Sequence, residues 1–177
     1  MRSVALPVVL LASLTMAQTP QLQIQINPPY VRTPENVVAA MLKLAGAKKT
    51  DVVYDLGCGD GRIVIAAARD YGAHGVGIDI DPERIQEARD NARKAGVESL
   101  AKFEVKDLFD TDLHDATVVA LYLLPDVNLR LRPKLLSELK PGARIVSHDF
   151  HMGDWKPDKQ ALVDASSKIY LWTVPAR

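Results

Sequence analysis

The residues best suited to chemistry form one glycine-rich segment, Asp55-Leu56-Gly57-Cys58-Gly59-Asp60-Gly61-Arg62. Glycines let the backbone turn tightly and let a ligand approach closely, because they carry no Cβ atom. A dinucleotide site would show the spacing G-x-G-x-x-G. Here the spacing is G-x-G-x-G, and the preceding acid, Asp55, would repel a pyrophosphate but suits a cationic amino-acid ligand. We therefore predict a ligand site at this segment, but not a site for NAD.

Two further aspartates follow apolar segments later in the chain. Asp79 stands just before Ile80 at the end of one segment, where a carboxylate can accept hydrogen bonds from both hydroxyls of a ribose. Asp107 follows the next segment, where a carboxylate can accept a hydrogen bond from an adenine amino group. A glycine loop alone is also typical of a purely structural turn. Because three acids stand at three successive predicted strand ends, we expect a ligand site here.

The elements that must position these acids alternate between strand and helix. Apolar segments predict strands at 52–54, 74–80, 102–106, 116–121 and 143–147, with an antiparallel pair at 159–163 and 168–174 to finish the chain. Helical spacing predicts helices at 33–46, 62–70, 81–96 and 129–139. This alternation predicts an α/β fold, doubly wound, with a mostly parallel sheet and helices on both faces. Such sheets bind ligands beyond the carboxyl ends of their strands, which is where the three acids stand.

Local signals set the ends of the predicted helices. Thr33 is a suitable N-cap for the first helix, with Pro34 and Glu35 in its first turn. Pro133 interrupts the last helical segment, so we expect two short helices there.

The composition and the first residues bear on the class of protein and on its location. The chain has 177 residues with 22 basic and 22 acidic side chains, which argues against a protein that coats a polyanion. A basic start, a charge-free stretch to Met16 and a small residue at Ala17 are typical of a signal peptide. We predict a signal peptide at 1–17, an arm at 18–32 and the main domain at 33–177. Export to a periplasmic or membrane-tethered location is then expected, or a cytoplasmic location if the start is wrongly assigned.

The motifs around Asp55, Asp79 and Asp107, together with Leu139-Lys140-Pro141-Gly142 before a strand, resemble those of class I S-adenosylmethionine-dependent methyltransferases. The resemblance implies a seven-stranded sheet whose last strand is antiparallel. It implies that Asp55 faces the methionine part of S-adenosylmethionine, Asp79 holds the ribose and Asp107 frames the adenine. The full set of cofactor-binding residues expected from it is Tyr30, Thr33, Asp55, Gly57, Cys58, Gly59, Gly61, Asp79, Ile80, Asp107 and Leu108.

A narrower resemblance rests on three segments, Pro29-Tyr30-Val31-Arg32-Thr33-Pro34, Asp60-Gly61-Arg62-Ile63-Val64-Ile65 and Leu135-Leu136-Ser137-Glu138-Leu139. These look like small bacterial methyltransferase-domain proteins, similar to mitochondrial protein-lysine methyltransferases. The resemblance implies N-methylation of a protein lysine, with Tyr30 and Thr33 closing over the cofactor.

For catalysis we expect Tyr30 and Tyr122 at the methyl-transfer pocket, with Asp149 near it. No general base is assigned among them. A small-molecule methyltransferase and a cofactor-binding module without catalysis remain alternatives. No nucleic-acid partner and no stable membrane span are expected, and the oligomeric state is open.

Other patterns favour less specific interpretations. Asn27-Pro28-Pro29-Tyr30 matches a motif of DNA amino-methylating enzymes, but it precedes the glycine loop instead of following the fourth strand. The cluster His148, Asp149, His151 and Asp154 could bind a metal, but a polar loop at the pocket rim is favoured, and no metal is expected. Cys58 is interpreted as a small loop residue and not as a nucleophile. Trp172 is expected in the core, and Trp155 could line a substrate mouth.

Overall fold

The computed structural model describes residues 30–176, in which helices and strands alternate. The strands are β1 (Val52–Leu56), β2 (His74–Asp79), β3 (Ala101–Val105), β4 (Val118–Leu121), β5 (Arg144–His148), β6 (Lys159–Leu162) and β7 (Lys168–Thr173). The helices are α1 (Glu35–Leu44), α2 (Arg62–Tyr71), α3 (Pro82–Lys94) and α4 (Pro125–Glu138), with a short 3-10 turn at Leu108–Asp110.

All seven strands form one sheet in the order β3-β2-β1-β4-β5-β7-β6. Strands β1 to β5 pair in parallel, whereas β7 is antiparallel to both β5 and β6. The order reverses beside β1, because the chain goes outward through β2 and β3 and then returns to β4. Ligands in open α/β sheets bind at such a reversal, beyond the carboxyl ends of the strands. The predicted doubly wound, seven-stranded sheet is confirmed.

Alternate residues of the central strands face opposite sides of the sheet, and each side is covered by helices. Val118 in β4 packs with α1 and α2 on one side, while the next residue, Val119, packs with α4 on the other. A third apolar cluster joins α2 and α3 over β3. Trp172 is fully buried on the α4 side, as predicted. The two apolar layers therefore hold the strand ends in fixed positions.

Two predicted helix features are wrong. Thr33 does not cap α1, because Pro34 occupies the N-cap position and no side chain bonds to the free amides. The hydroxyl of Thr33 instead lies 3.5 Å from Nδ1 of His148. Pro133 does not divide the last helix, since α4 runs continuously through it. The buried face of α4, with Leu131 and Leu135, holds the helix together across the missing backbone donor.

The predicted signal peptide at 1–17 and most of the predicted arm at 18–32 lie outside the described residues, as do Asn27, Pro28 and Pro29. The domain division and the expected export therefore remain predictions. Within residues 30–176, no helix has both the length and the apolar character needed to cross a bilayer.

Candidate functional site

A cavity of about 580 Å³ opens at the carboxyl ends of the parallel strands, where the strand order reverses. It is bounded by the segments that follow β1, β2, β3, β4 and β5. The predicted residues that line it are Tyr30, Thr33, Asp55, Gly57, Cys58, Asp79, Ile80, Asp107, Leu108 and Tyr122. Residues far apart in the chain, including both predicted catalytic tyrosines, therefore meet at one cavity.

Gly59 and Gly61 complete the predicted set, but they do not line the cavity directly. Gly59 has a φ of +52°, and a Cβ atom there would lie 2.1 Å from Cε2 of Tyr30. Gly61 has a φ of +80°, and a Cβ atom there would lie 2.7 Å from the ring of Phe103. Both positions need the left-handed backbone and the missing side chain that glycine provides. Gly59 thus makes room for Tyr30, while Gly61 lets α2 begin close to the core.

Asp79 fixes the glycine loop against the end of β2. Its Oδ2 accepts a hydrogen bond from the backbone N–H of Gly59 at 2.9 Å, and its Oδ1 accepts one from Asp81 at 3.0 Å. The loop is further held by the amides of Gly57 and Cys58, which both donate to the carbonyl of Ile78. The Asp79 carboxylate is therefore oriented before any ligand binds.

Asp55 is a buried acid without a partner among residues 30–176. Its side chain lies at the cavity wall and is only 3% exposed, and no described group donates a hydrogen bond to it. Burial, with the nearby charges of Asp79 and Asp60, raises the pKa of Asp55 to about 8. A cationic ligand group would supply the missing partner, so the residue fits the ammonium of an amino-acid ligand.

Cys58 is also buried, and burial raises the pKa of its thiol, chiefly through the loss of water around the thiolate. A thiol with a raised pKa is a poor nucleophile. This supports its interpretation as a small loop residue.

An ion pair links the glycine loop to the segment before α1. Arg62 donates from Nε to Oδ1 of Asp60 at 2.9 Å and from NH1 to the carbonyl of Thr33 at 2.8 Å. Burial would raise the pKa of Asp60, but the hydrogen bonds and charge of Arg62 outweigh it and hold that pKa below its usual value. Arg62 thereby fixes both Thr33 and the loop at the same corner of the cavity.

The side chain of Tyr30 packs over the glycine loop. Its hydroxyl accepts a hydrogen bond from the N–H of Asp60 at 3.1 Å, and its ring rests on Gly59. The guanidinium of Arg84 stands 4.9 Å from the ring centre and that of Arg32 stands 5.8 Å from it. These cation–π contacts hold the tyrosine as a cover over one end of the cavity.

Aromatic side chains form the other end of the cavity. Tyr122 follows β4 and stacks on Phe150, with ring centres 6.1 Å apart. The imidazole of His148 lies 4.0 Å behind the Tyr122 ring. Burial, together with the charge of Asp149, raises the pKa of Tyr122, so its hydroxyl stays neutral. This end can therefore hold the side chain of an acceptor against flat apolar walls.

The structure corrects the predicted cluster after β5. His148 is buried and Asp149 does not line the cavity, contrary to the interpretation as a rim loop and to the expected position of Asp149. Nδ1 of His151 accepts from the N–H of Gly153, and Asp154 pairs with Arg132. His148 lies beside Asp149, whereas His151 and Asp154 have other partners, so the four residues do not converge on one point. In the described part of the chain, the group with metal-ligand proximity is instead Asp112, His114 and Glu138, and Glu138 is paired with Lys134.

Trp155 does not line the cavity either. It packs against Trp172, and its carbonyl accepts a hydrogen bond from the indole N–H of Trp172 at 2.9 Å. The role in the substrate mouth that the sequence suggested for it is therefore wrong.

Sequence reasoning missed Phe150 and Phe109, which line the cavity, and Arg62, which fixes one corner of it. Phe150 could have been found from its position three residues after the predicted strand at 143–147. Arg130, which follows α4's first turn, stands 4.5 Å over the ring of Phe109. No sequence signal indicates that contact, since the two side chains come from separate segments.

The strand order, the glycine loop and the acids at the ends of β1 and β2 together define a class I S-adenosylmethionine-dependent methyltransferase. Residues 55–159 match the family model described as the ANTKMT methyltransferase domain. The chain belongs to this family.

Named relatives agree with this assignment. The chain is 46% identical over 150 residues to a protein-lysine N-methyltransferase of Saccharolobus islandicus, covering 82% of this chain and 93% of that protein. It is 35% identical over 134 residues to the adenine nucleotide translocase lysine N-methyltransferase of Mus musculus, covering 76% of this chain and 58% of that protein. The chain thus spans little more than half the length of this mouse relative.

A solved structure is also similar. It is described as an RNA methyltransferase from Salinibacter ruber in complex with S-adenosyl-L-homocysteine, and it is 54% identical, with a TM-score of 0.82. The match covers 83% of this chain and 95% of that one. The cofactor of this chain is S-adenosylmethionine, and the chain is an S-adenosylmethionine-dependent methyltransferase.

Proposed function

We propose that the protein transfers the methyl group of S-adenosylmethionine to the ε-amine of a lysine in a protein substrate. The observation that carries this proposal is the cavity itself. One end has a buried unpaired acid and an oriented carboxylate, and the other end has stacked aromatic rings. The relative that this chain covers almost end to end carries the name protein-lysine N-methyltransferase.

The residues fit the cofactor at three points. Asp55 would pair with the ammonium of its methionine part, because it is the buried acid that lacks a donor. Asp79 would accept from the ribose hydroxyls, since its carboxylate stands at the end of β2 and faces the cavity. Asp107 and Leu108 would border the adenine beyond β3, with Ile80 on the other side.

Bound there, the cofactor supplies a methyl group already activated on a sulfonium sulfur. The remaining task of the protein is to align an uncharged amine with that methyl group. Tyr122 and Phe150 provide flat walls for the four-carbon stem of lysine. Tyr30 covers the loop and excludes water from the cofactor end of the cavity. Binding in this partly apolar site also lowers the pKa of the lysine amine, which favours its reactive form.

The access route suits a side chain that projects from a larger molecule. Exposed apolar residues border the opening, namely Val31 and Leu124 at 56% and 49% exposure. Among residues 30–176 no inserted segment covers them, and the elements run from strand to helix with short connections. A small molecule would leave this apolar rim in water, whereas a protein surface would cover it.

RNA methylation is the second candidate, and the Salinibacter structure favours it, since that protein is described as an RNA methyltransferase. Among residues 30–176, three of the four arginines that line the cavity oppose it, while the fourth, Arg130, lies over the ring of Phe109. Arg62 pairs with Asp60, and Arg32 and Arg84 both pair with Glu87. Cations already paired with carboxylates offer little charge for a phosphate backbone.

The direct test uses labelled methyl groups. Purified protein is incubated with methyl-labelled S-adenosylmethionine and a cell extract, and the precipitated products are divided between protease and ribonuclease treatment. We expect label that protease releases and ribonuclease does not. Tyr122→Ala serves as the matched control, because it removes the acceptor wall and leaves Asp55 and Asp79 in place. Label that ribonuclease releases, or label only in soluble small molecules, would contradict the proposal.

A further inference from the structure

His148 is a buried imidazole, and packing in the fold does not account for all of its polar atoms. The residue is 2% exposed, and its Nε2 has no hydrogen-bond partner among the described residues. Its Nδ1 lies 3.5 Å from Oγ1 of Thr33, and its Nε2 lies 3.4 Å from Oδ2 of Asp149. The buried imidazole thus faces a hydroxyl and a carboxylate without a well-formed hydrogen bond at Nε2, an arrangement that points to a use beyond packing.

Asp149 is held next to this imidazole by a strained backbone. It has a φ of +59°, and the N–H of Phe150 donates to the carbonyl of His148 at 2.7 Å, which closes a tight γ-turn. Strand β7 maintains the strain, because the N–H of Lys168 donates to Oδ1 of Asp149 at 2.8 Å. Backbone strain such as a γ-turn with a positive φ is found at functional sites, where it fixes the direction of a side chain. Here it turns Oδ2 of Asp149 toward His148.

Thr33 connects this buried pair to the cavity. Its side chain is buried but lines the cavity wall, and its carbonyl is fixed by Arg62 at 2.8 Å. The Tyr122 ring covers the imidazole from the cavity side, at 4.0 Å between ring centres. Thr33 is therefore the member of this group that lines the cavity, and its Oγ1 is the atom that lies beside His148.

We propose that Thr33, His148 and Asp149 form a proton relay that deprotonates the acceptor amine. This inference rests on the proposed function, because it requires an acceptor that arrives as an ammonium ion. An N–H bond of the ammonium breaks, and its proton goes to Oγ1 of Thr33 while the hydroxyl proton passes to Nδ1 of His148. The electron pair stays on the nitrogen and becomes free to attack the methyl carbon. His148 then carries the added charge, which Asp149 balances through Nε2–H, and the proton later leaves to solvent.

The protonation states of His148 and Tyr122 in the free protein agree with proton transfer from the amine toward His148. Burial lowers the pKa of His148, although Asp149 and Asp164 act in the opposite sense, so the imidazole begins neutral and can accept a proton. The titratable groups that face it are Asp149 in its own turn, Asp164 between β6 and β7, and Tyr122 after β4. The pKa of Tyr122 is raised by burial, so that hydroxyl is not the first acceptor. Thr33 touches the substrate, whereas His148 and Asp149 act through it as positioning residues.

The test compares the pH profile of kcat/KM for the wild type and for His148→Asn, with lysine-containing protein as acceptor. Near neutral pH we expect kcat/KM to fall about 100-fold, the scale of general base catalysis. Near pH 10 the fall should shrink to about threefold, because roughly a quarter of a lysine with a pKa of about 10.4 is then already unprotonated. His151→Asn is the matched control, since His151 lies in the same segment but is exposed. The affinity for S-adenosyl-L-homocysteine should stay unchanged in both variants.

Conservative variants keep the test decisive if His148→Asn does not fold. Thr33→Val removes the hydroxyl and should show the same pH-dependent loss, while Thr33→Ser keeps the hydroxyl and should restore most of the rate. Asp149→Asn tolerates the positive φ and should lower kcat/KM by about tenfold near neutral pH. Nitrogen NMR of the imidazole should show the proton on Nε2 in the free protein.

A loss of equal size at both pH values, or full activity in Thr33→Val, would overturn the relay. A proton on Nδ1 of the free imidazole would overturn it as well. These outcomes leave the proposed function intact. If the wild type instead transfers no methyl group to lysine at any pH, the proposed function itself is wrong.

Discussion

Asp55 is a buried acid whose carboxyl receives no hydrogen bond from the described residues 30–176. Its carboxyl is buried beside Asp79 and Asp60, and its pKa is raised to about 8. Near neutral pH it therefore carries a proton, and it must lose that proton before it can pair with a cationic ligand. Binding of the cofactor and ionisation of Asp55 are thus linked.

We accordingly expect proton release when S-adenosyl-L-homocysteine binds. At about pH 6.5, close to one proton should be released per molecule bound, because Asp55 is then almost fully protonated in the free protein. Calorimetry in buffers of different ionisation enthalpy measures this release. Asp55→Asn should bind more weakly and release no proton. An enthalpy that does not change with buffer would contradict the link.

The same pKa shift predicts how stability depends on pH. The pKa of Asp55 is about 8 in the folded chain and 3.8 in an unstructured peptide, so the folded chain holds this proton more tightly. The contribution of Asp55 to stability is full below about pH 4 and is lost as the pH rises toward 8. Asp55→Asn should therefore melt higher than the wild type at about pH 8.5, and the gain should vanish in acid. Thermal unfolding without ligand checks this, and a gain of equal size in acid would contradict it.

Asp79 differs from Asp55, because its hydrogen bonds are already made. Removal of its carboxylate in Asp79→Ala should weaken cofactor binding by about 1.5–3 kcal/mol, the scale of hydrogen bonds to a charged group. Asp70→Ala is a matched control that should leave the affinity unchanged, because Asp70 is an exposed aspartate near the end of α2 that pairs with Arg69 and does not line the cavity. Calorimetry that gives the same affinity for Asp79→Ala and the wild type would remove Asp79 from the ribose site.

At the scale of elements, the short segment 30–34 before α1 makes several contacts with the site. Tyr30 covers Gly59, and the next residues pair with α2 and α3 through Arg62 and Glu87. This segment touches both the glycine loop and the wall that contains Thr33. We therefore expect changes in this segment to lower turnover, through the alignment of the reacting groups, more than they lower cofactor affinity.

Tyr30→Ala should lower turnover by tenfold or more, roughly the cost of a small misalignment, while cofactor affinity changes by about threefold or less. Tyr30→Phe keeps the ring on Gly59 and loses the hydrogen bond from Asp60, so it should retain most of the turnover. Steady-state kinetics and calorimetry measure the two quantities. If Tyr30→Ala turns over normally but melts at a lower temperature, Tyr30 only packs against the loop.

Helix α4 contains a proline in its interior, a residue that normally breaks a helix. Pro133 cannot donate to the carbonyl of Leu129, yet the helix continues to Glu138. Pro133→Ala should raise the free energy of unfolding by about 2–2.5 kcal/mol, which is the helix-interior cost of proline less its benefit in the unfolded chain. Urea denaturation measures this. A destabilised variant would contradict this expectation and would show that the proline ring is needed for the packing of α4.

At the scale of the whole molecule, the acids at the strand ends and Tyr122 after β4 could be placed at one cavity from the sequence, whereas the contact between Thr33 and His148 could not. Asp55, Asp79 and Asp107 each follow a local apolar strand, so short-range patterns place them at one edge of the sheet. Thr33 and His148 meet across 115 residues, and no periodicity encodes that contact. Only the completed sheet, with β5 beside β4 and α1 packed against β5, brings them together.

Contacts between distant segments also account for the predictions that are wrong. A proline is a strong local signal, but the buried face of α4 outweighs it. The polar residues after β5 resemble a rim loop in sequence, yet the γ-turn at Asp149 buries His148 behind Tyr122. In both cases packing between distant segments decides the structure, and the local pattern carries no information about it.

The central claim is that the cavity aligns a lysine amine with the methyl group of S-adenosylmethionine. Its most direct test is the chemical identity of the product. Protein methylated with isotope-labelled cofactor is hydrolysed completely, and the amino acids are separated and identified by mass spectrometry. The account predicts that the label is found in ε-N-methylated lysine and is absent when Tyr122→Ala replaces the wild type. Label in a methylated nucleoside, or in any amino acid other than lysine, would contradict it.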